Sequence, residues 1–82
     1  MITGLQVRAA RGFLVWDRRE LAKKAVVPLS AIERIEMGER LTDRSGKAVK
    51  AIRTTMEAEG IEFLDDGAPG VRLHPKASNP KP

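Results

Sequence analysis

The side chains in this sequence that could carry chemistry are arginines, carboxylates and a single histidine. The absence of cysteine excludes a thiolate zinc site, a disulfide framework and a cysteine nucleophile. His74 lies near a proline-rich end, with no serine or cysteine nucleophile arranged beside it. The pair Asp65-Asp66 has no further ligands clustered around it and is typical of a turn. We therefore expect no enzymatic activity, no metal site and no cofactor.

The basic residues are more informative. Lys and Arg number 15 against 11 Asp and Glu, a net charge of +4, and the whole excess falls in residues 1–60. Such an excess favours nucleic acid as a partner, and a solvated basic surface is the alternative explanation. No apolar run is long enough for a signal peptide or a membrane span, so we expect a cytoplasmic protein that does not enter membranes.

The elements that would position these side chains begin with a capped helix. Thr3 and Gln6 have the spacing of a capping box, and Ile2 and Val7 have the spacing of its hydrophobic staple. The pattern predicts a helix from this cap to about Val15. Its apolar residues form two rows at helical spacing. One row is Val7, Ala10 and Leu14, and the other is Leu5, Ala9 and Phe13.

Two short helices are predicted next. Asp17 and Glu20 repeat the capping box and begin a short helix that ends before Val26. Pro28 is tolerated only at a helix start, so a third helix is predicted from Leu29 to Met37, with Gly38 as its stop. The spacing gives two helices joined by a tight turn.

A fourth helix and a hairpin complete the prediction. The fourth helix is predicted over roughly residues 46–59 and ends at Gly60, a residue suited to the left-handed conformation. Apolar and polar residues then alternate on both sides of a turn-forming segment, which predicts a β-hairpin over residues 61–73. Residues 74–82 contain three prolines and are predicted to be a disordered tail.

The segment from Val7 to Gly38 resembles the Cro and lambda-repressor type of helix-turn-helix, the xenobiotic-response-element (XRE) family. The matching runs are Val7–Arg11, Trp16–Ala22 and Val27–Gly38. The resemblance implies a mainly α fold: a four-helix lambda-repressor-like helix-turn-helix domain over residues 1–60, followed by a short C-terminal β-hairpin or strand. It implies that the third helix enters the major groove of DNA.

The resemblance also implies roles for individual residues. The positions that match base-reading residues are Leu29, Ser30, Ala31, Glu33 and Arg34. The positions expected at the phosphate backbone are Arg18, Arg40, Arg44 and Lys47. Arg11 and Glu36 match a structural ion pair that joins the first helix to the end of the third.

Two residues depart from the family pattern. Val26 stands where the family has a glycine, and a β-branched residue with positive φ is strained by about 1 to 2 kcal/mol, which predicts a strained or altered turn. Pro28 stands where the family has a serine cap, so it offers neither a side-chain cap nor an amide to a phosphate.

The expected function is that of a sequence-specific transcriptional regulator, a repressor that binds an inverted-repeat operator as a homodimer. One recognition helix reads only a few base pairs, so two copies are needed for useful specificity. The residues expected at the dimer contact share one face of the hairpin: Ile61, Phe63, Val71 and Leu73. The alternative is an antitoxin-like or antiactivator-like module that grips another protein with its hairpin and tail.

Overall fold

The computed structural model describes residues 2–38, 43–64 and 67–74 of the 82-residue chain. The predicted architecture is confirmed, because four helices are followed by a two-stranded hairpin in this part of the chain. The elements are α1 (Gly4–Leu14), α2 (Arg18–Ala25), α3 (Leu29–Glu36), α4 (Asp43–Glu57), β1 (Ile61–Leu64) and β2 (Gly70–Leu73). None of the helices described in these ranges is long and apolar enough to cross a membrane.

The start of α1 is fixed by the predicted capping box. The Gln6 amide donates to the Thr3 hydroxyl (3.2 Å), and the Gln6 side-chain oxygen accepts from the Thr3 amide (2.9 Å). Gly4 contacts the end of α3 so closely that a Cβ there would collide with the Ile35 carbonyl oxygen and the Glu36 Cα. A glycine is therefore needed for α1 to approach α3.

Helix α4 begins earlier than the sequence predicts, at Asp43 rather than near Gly46. A glycine inside a helix costs only about 1 kcal/mol, which the burial of Val49, Ile52 and Met56 outweighs. After α4, Gly60 takes the predicted left-handed conformation, with φ of 100°. A Cβ on Gly60 would also collide with the His74 carbonyl oxygen, so the hairpin returns against this residue.

The hairpin forms within the predicted range. β1 and β2 are antiparallel, with Ile61 opposite Leu73 and Phe63 opposite Val71. β2 packs against α1, and β1 packs against α4. The apolar core lies between these layers and unites residues of the segment before α1, of all four helices and of β1: Ile2, Val7, Ala10, Leu21, Ala25, Ile32, Ile35, Val49, Ile52, Met56, Ile61 and Phe63. The hairpin is therefore part of the helical domain and not an appendage to it.

Candidate nucleic-acid interface

Helix α3 has one buried face and one outward face. Ile32 and Ile35 point into the core and hold the helix in place. Its start is set by Pro28, whose φ of −63° suits a helix N-terminus and which makes no side-chain cap bond. The outward residues are those that the resemblance assigned to base reading: Ser30, Glu33 and Arg34 are exposed, and Leu29 and Ala31 are half-buried. Packing thus leaves this set together on one accessible surface.

The turn between α2 and α3 keeps a left-handed residue although that residue is valine. Val26 has φ of 56° and ψ of 51°, and its amide and that of Val27 both donate to the Ala22 carbonyl. The Val26 side chain is 87% exposed, so no packing contact offsets the strain. The structure therefore shows the strained outcome, with a β-branched residue in the left-handed region.

A buried carboxylate joins α1, α2 and α3. Glu36 accepts from Arg11 through both carboxylate oxygens, at 2.7 Å from Nε and 2.9 Å from an Nη nitrogen. The expected Arg11–Glu36 ion pair is therefore present, and its geometry is bidentate. Arg18 adds a third member, because its Nε donates to the same carboxylate at 3.1 Å. Arg11 also donates to the Trp16 carbonyl, which ties the α1–α2 connection to the pair.

The electrostatics of this cluster follow from its burial. The Glu36 side chain has no exposed surface, whereas the side chains of Arg11 and Arg18 are 18% and 40% exposed. Burial by itself raises the pKa of Glu36, but hydrogen bonds and charges from the two arginines outweigh burial and lower that pKa. The Glu36 hydrogen bond in turn raises the pKa of Arg11. Glu36 and Arg11 are therefore charged at neutral pH.

An open groove of about 420 Å³ lies beside this cluster, at the starts of α2 and α3. It is lined by Arg11, Asp17, Arg18, Arg19, Leu29 and Glu33. Asp17 accepts from the Glu20 amide at 2.7 Å, so its carboxylate is used as the cap of α2. Three arginines and two carboxylates line the groove, and Glu36 beside it pairs with Arg11 and Arg18, so Arg19 is the groove arginine that no described ion pair engages and that can meet an anionic ligand.

The structure describes the side chains of only some of the residues expected at the phosphate backbone. Arg18 reaches the groove but is shared with Glu36, a bond that sequence reasoning missed. Lys47 is exposed on α4. Arg40 lies outside the described residues, and although Arg44 falls within α4, its side chain also lies outside them. Arg19, next to Arg18 in the first turn of α2, is a further exposed groove residue whose position in the sequence could have indicated it.

The face of the hairpin expected at the dimer contact is largely covered by the chain itself. Ile61 and Phe63 are only 3% and 7% exposed because they lie in the core. Val71 is half-buried and packs against that core, and Leu73 is 41% exposed. The alternation of the sequence placed these residues on one face, but it could not show that α1 and α4 cover that face within a single chain.

Gln6 is a second residue whose role sequence reasoning saw only in part. Beyond its capping bonds, its Nε2 donates to the carbonyls of Leu64 (2.8 Å) and Gly70 (2.9 Å). These two residues form the strand pair next to the hairpin loop. Gln6 therefore holds the hairpin against α1. This contact stabilises the packing of the hairpin on the helical domain to which α3 belongs.

Within residues 2–38, 43–64 and 67–74, no three histidine, cysteine or acidic side chains are grouped as metal ligands would be. Asp65 and Asp66 lie outside these ranges. Comparison of the chain with protein-family models, curated proteins and solved structures gave no match, so function is inferred from the geometry of these residues.

Proposed function

We propose that this protein is a sequence-specific DNA-binding transcriptional regulator. It inserts the outward face of α3 into the major groove and represses transcription as a homodimer on an inverted repeat, in the cytoplasm and without a cofactor. The observation that supports this function is the unit formed by α2, the Val26 turn and α3. In that unit, two eight-residue helices share a core while the N-terminal half of the second stays accessible. A major groove admits one α-helix presented in this way.

The outward residues of α3 have the chemistry to read bases. The exposed guanidinium of Arg34 can donate to O6 and N7 of one guanine, a contact that discriminates by about 1 to 3 kcal/mol. Leu29 and Ala31 offer apolar contact to thymine methyl groups, and Ser30 offers a hydroxyl. Glu33 accepts from the amino group of cytosine. Five side chains of four chemical types, within fewer than two helical turns, allow a specific DNA sequence to be recognised.

Phosphate contacts come from the rim of the groove and from α4. Glu36 holds Arg18 by its Nε, and no other described residue engages its Nη nitrogens, which remain for a phosphate. Arg19 stands beside it, and Lys47 is the exposed cation on α4 that would meet a second stretch of backbone. Arg40 and Arg44 are assigned to that same stretch by their place in the sequence.

The test is a titration against DNA selected in vitro from the source genome. Binding should be specific and should weaken steeply with salt, with a log–log slope of about 0.9 for each phosphate contact. Arg34→Ala should relax specificity by about 10- to 100-fold at one base position. Arg19→Ala should weaken all sequences alike and lower the salt slope by about 1.

Arg72→Ala is the matched control, because Arg72 lies on the hairpin and contacts Glu62. It removes one positive charge without touching α2 or α3, so affinity should change little. The proposed function is refuted if the folded wild-type protein has no affinity for DNA at low salt. It is equally refuted if Arg34→Ala and Arg72→Ala behave alike on every sequence.

A further inference from the structure

Leu29 and Glu33 are one helical turn apart on α3, and both line the groove at the starts of α2 and α3. Side chains at this spacing lie on one side of a helix, with their Cβ atoms about 5 to 6 Å apart. Leu29 is half-buried and Glu33 is exposed. Ser30 and Arg34, the next pair along α3, do not line this groove. Leu29 and Glu33 therefore form a separate apolar and acidic pair, here called the Leu29–Glu33 pair.

The carboxylate of Glu33 makes no hydrogen bond or ion pair with the residues that the structure describes. The other carboxylate of the groove, Asp17, differs because it caps α2 through the Glu20 amide. A carboxylate that enters a major groove loses bound water and needs a hydrogen-bond donor in return. The donors on base edges in that groove are the amino groups of cytosine (N4) and adenine (N6). Glu33 therefore restricts the base that it meets to one of these two.

Leu29 discriminates between these two bases. The amino group of adenine lies beside N7, an acceptor that would lose its water against a leucine side chain. The amino group of cytosine lies beside C5, which carries only a hydrogen atom. A methyl group on C5 would contact Leu29 and bury apolar surface, as the methyl group of thymine does against apolar side chains. Thymine itself does not suit the pair, because its O4 is an acceptor that the Glu33 carboxylate repels.

We propose that the Leu29–Glu33 pair reads 5-methylcytosine in double-stranded DNA, an inference that rests on the proposed function. Leu29 contacts the C5 methyl group, and the Glu33 carboxylate accepts a hydrogen bond from N4 of the same base. The two groups stand on adjacent atoms of the pyrimidine ring, so two side chains one helical turn apart reach them together. Unmethylated cytosine satisfies Glu33 alone, and thymine satisfies Leu29 alone. The protein therefore binds a methylated operator in preference to the unmethylated one.

Fluorescence anisotropy with synthetic duplexes tests this preference. A sequence selected from a randomised duplex library supplies the site, and Glu33→Gln identifies the base position at which the choice of base changes. Three duplexes carry cytosine, 5-methylcytosine or thymine at that position, each with its complementary base. The wild type should bind 5-methylcytosine about three- to fivefold more tightly than cytosine, from burial of one methyl group, and about 5- to 100-fold more tightly than thymine. Equal affinity for cytosine and 5-methylcytosine overturns the proposal, as does a position that does not select cytosine.

Two substitutions separate the two halves of the pair. Leu29→Ala should bring the affinity ratio of 5-methylcytosine to cytosine to about 1, while both remain preferred over thymine. Glu33→Gln should keep the methyl preference and lose the discrimination against thymine, because an amide also donates to O4. The matched controls are Leu5→Ala, at an exposed leucine of α1, and Glu62→Gln on the hairpin, which should change neither ratio. A methyl preference that survives Leu29→Ala comes from the shape of the DNA and overturns the proposal.

A duplex with deoxyuridine tests the competing geometry, in which Leu29 and Glu33 meet a thymine and a cytosine that are neighbours. In that geometry methylation of the cytosine has no effect, and replacing the neighbouring thymine by deoxyuridine weakens binding about three- to fivefold. This result overturns the inference and leaves the proposed function intact. Absence of affinity for any duplex at low salt, with the protein folded, refutes the proposed function itself. The two failures are therefore distinguishable.

Discussion

At the scale of single residues, Glu36 is the side chain on which most of the site depends. Its side chain is fully buried, and two arginines from different helices share its single negative charge. We expect Glu36→Gln to destabilise the domain by about 2 to 4 kcal/mol, because it leaves Arg11 and Arg18 near one another without a counter-charge. Urea unfolding measures this loss. Glu57→Gln, which breaks the exposed Arg53–Glu57 pair, should cost less than about 0.5 kcal/mol; equal losses would contradict the assignment.

The same carboxylate should make the folding stability of the protein fall at acidic pH. The pKa of Glu36 is lower in the folded chain than the value of about 4.3 in an unfolded one. Its contribution to stability is therefore complete above about pH 4.3 and is lost as the pH falls through the folded pKa. Urea midpoints at pH 7, 5 and 3 should fall less steeply for Glu36→Gln than for the wild type. Parallel curves would show that other groups set the loss of stability in acid. Glu62, whose pKa is also lowered by a hydrogen bond from His74, is exposed to solvent that screens its charge.

Val26 is a residue at which substitution should stabilise the protein. A left-handed conformation costs an L-residue about 1 to 2 kcal/mol, and glycine avoids this cost while losing about 0.5 to 1 kcal/mol of unfolded-state entropy. Val26→Gly should therefore gain about 1 kcal/mol and raise Tm by about 4 to 8 °C. The control is Lys50→Gly in the exposed interior of α4, which should lose about 1 kcal/mol. A lower Tm for Val26→Gly would show that the valine makes a contact that offsets its strain.

At the scale of elements, the link between α1 and the hairpin passes through Gln6. Gln6→Ala leaves the Thr3 amide and the carbonyls of Leu64 and Gly70 without this partner and opens a small cavity, so we expect a loss of about 3 kcal/mol. Thr3→Ala removes only the other half of the cap and should cost about 1 kcal/mol. Thermal unfolding distinguishes the two, and hydrogen exchange should show early opening of β1 and β2 in Gln6→Ala alone. Similar losses would mean that the hairpin does not need this bridge.

At the scale of the whole molecule, the buried hairpin changes how the two copies are expected to meet. Ile61 and Phe63 stabilise the single chain, so a chain that ended at Gly60 would expose core surface instead of merely losing a dimer contact. The exposed residues of α3 and of α1 lie outside this core.

The sequence by itself determined the local features of this protein. The cap of α1 at Thr3, the cap of α2 at Asp17, the left-handed Gly60 and the existence of the hairpin were all predicted, because each depends on residues within a few positions or on simple alternation. The Arg11–Glu36 pair came from resemblance to a known family. The base-reading assignment has the same source and stays a prediction.

Only the tertiary structure decided the contacts between distant segments. Gln6 reaches carbonyls 58 and 64 residues away, and Arg18 shares a carboxylate 18 residues away. Periodicity shows which apolar residues share a face, but it does not show which other element covers that face. Ile61 and Phe63 are buried in the core, whereas Leu5 and Phe13 are exposed. The physical reason is that the hydrophobic effect is non-directional. One sequence pattern is therefore compatible with many pairings of apolar faces, and the packing of all the elements together selects one of them.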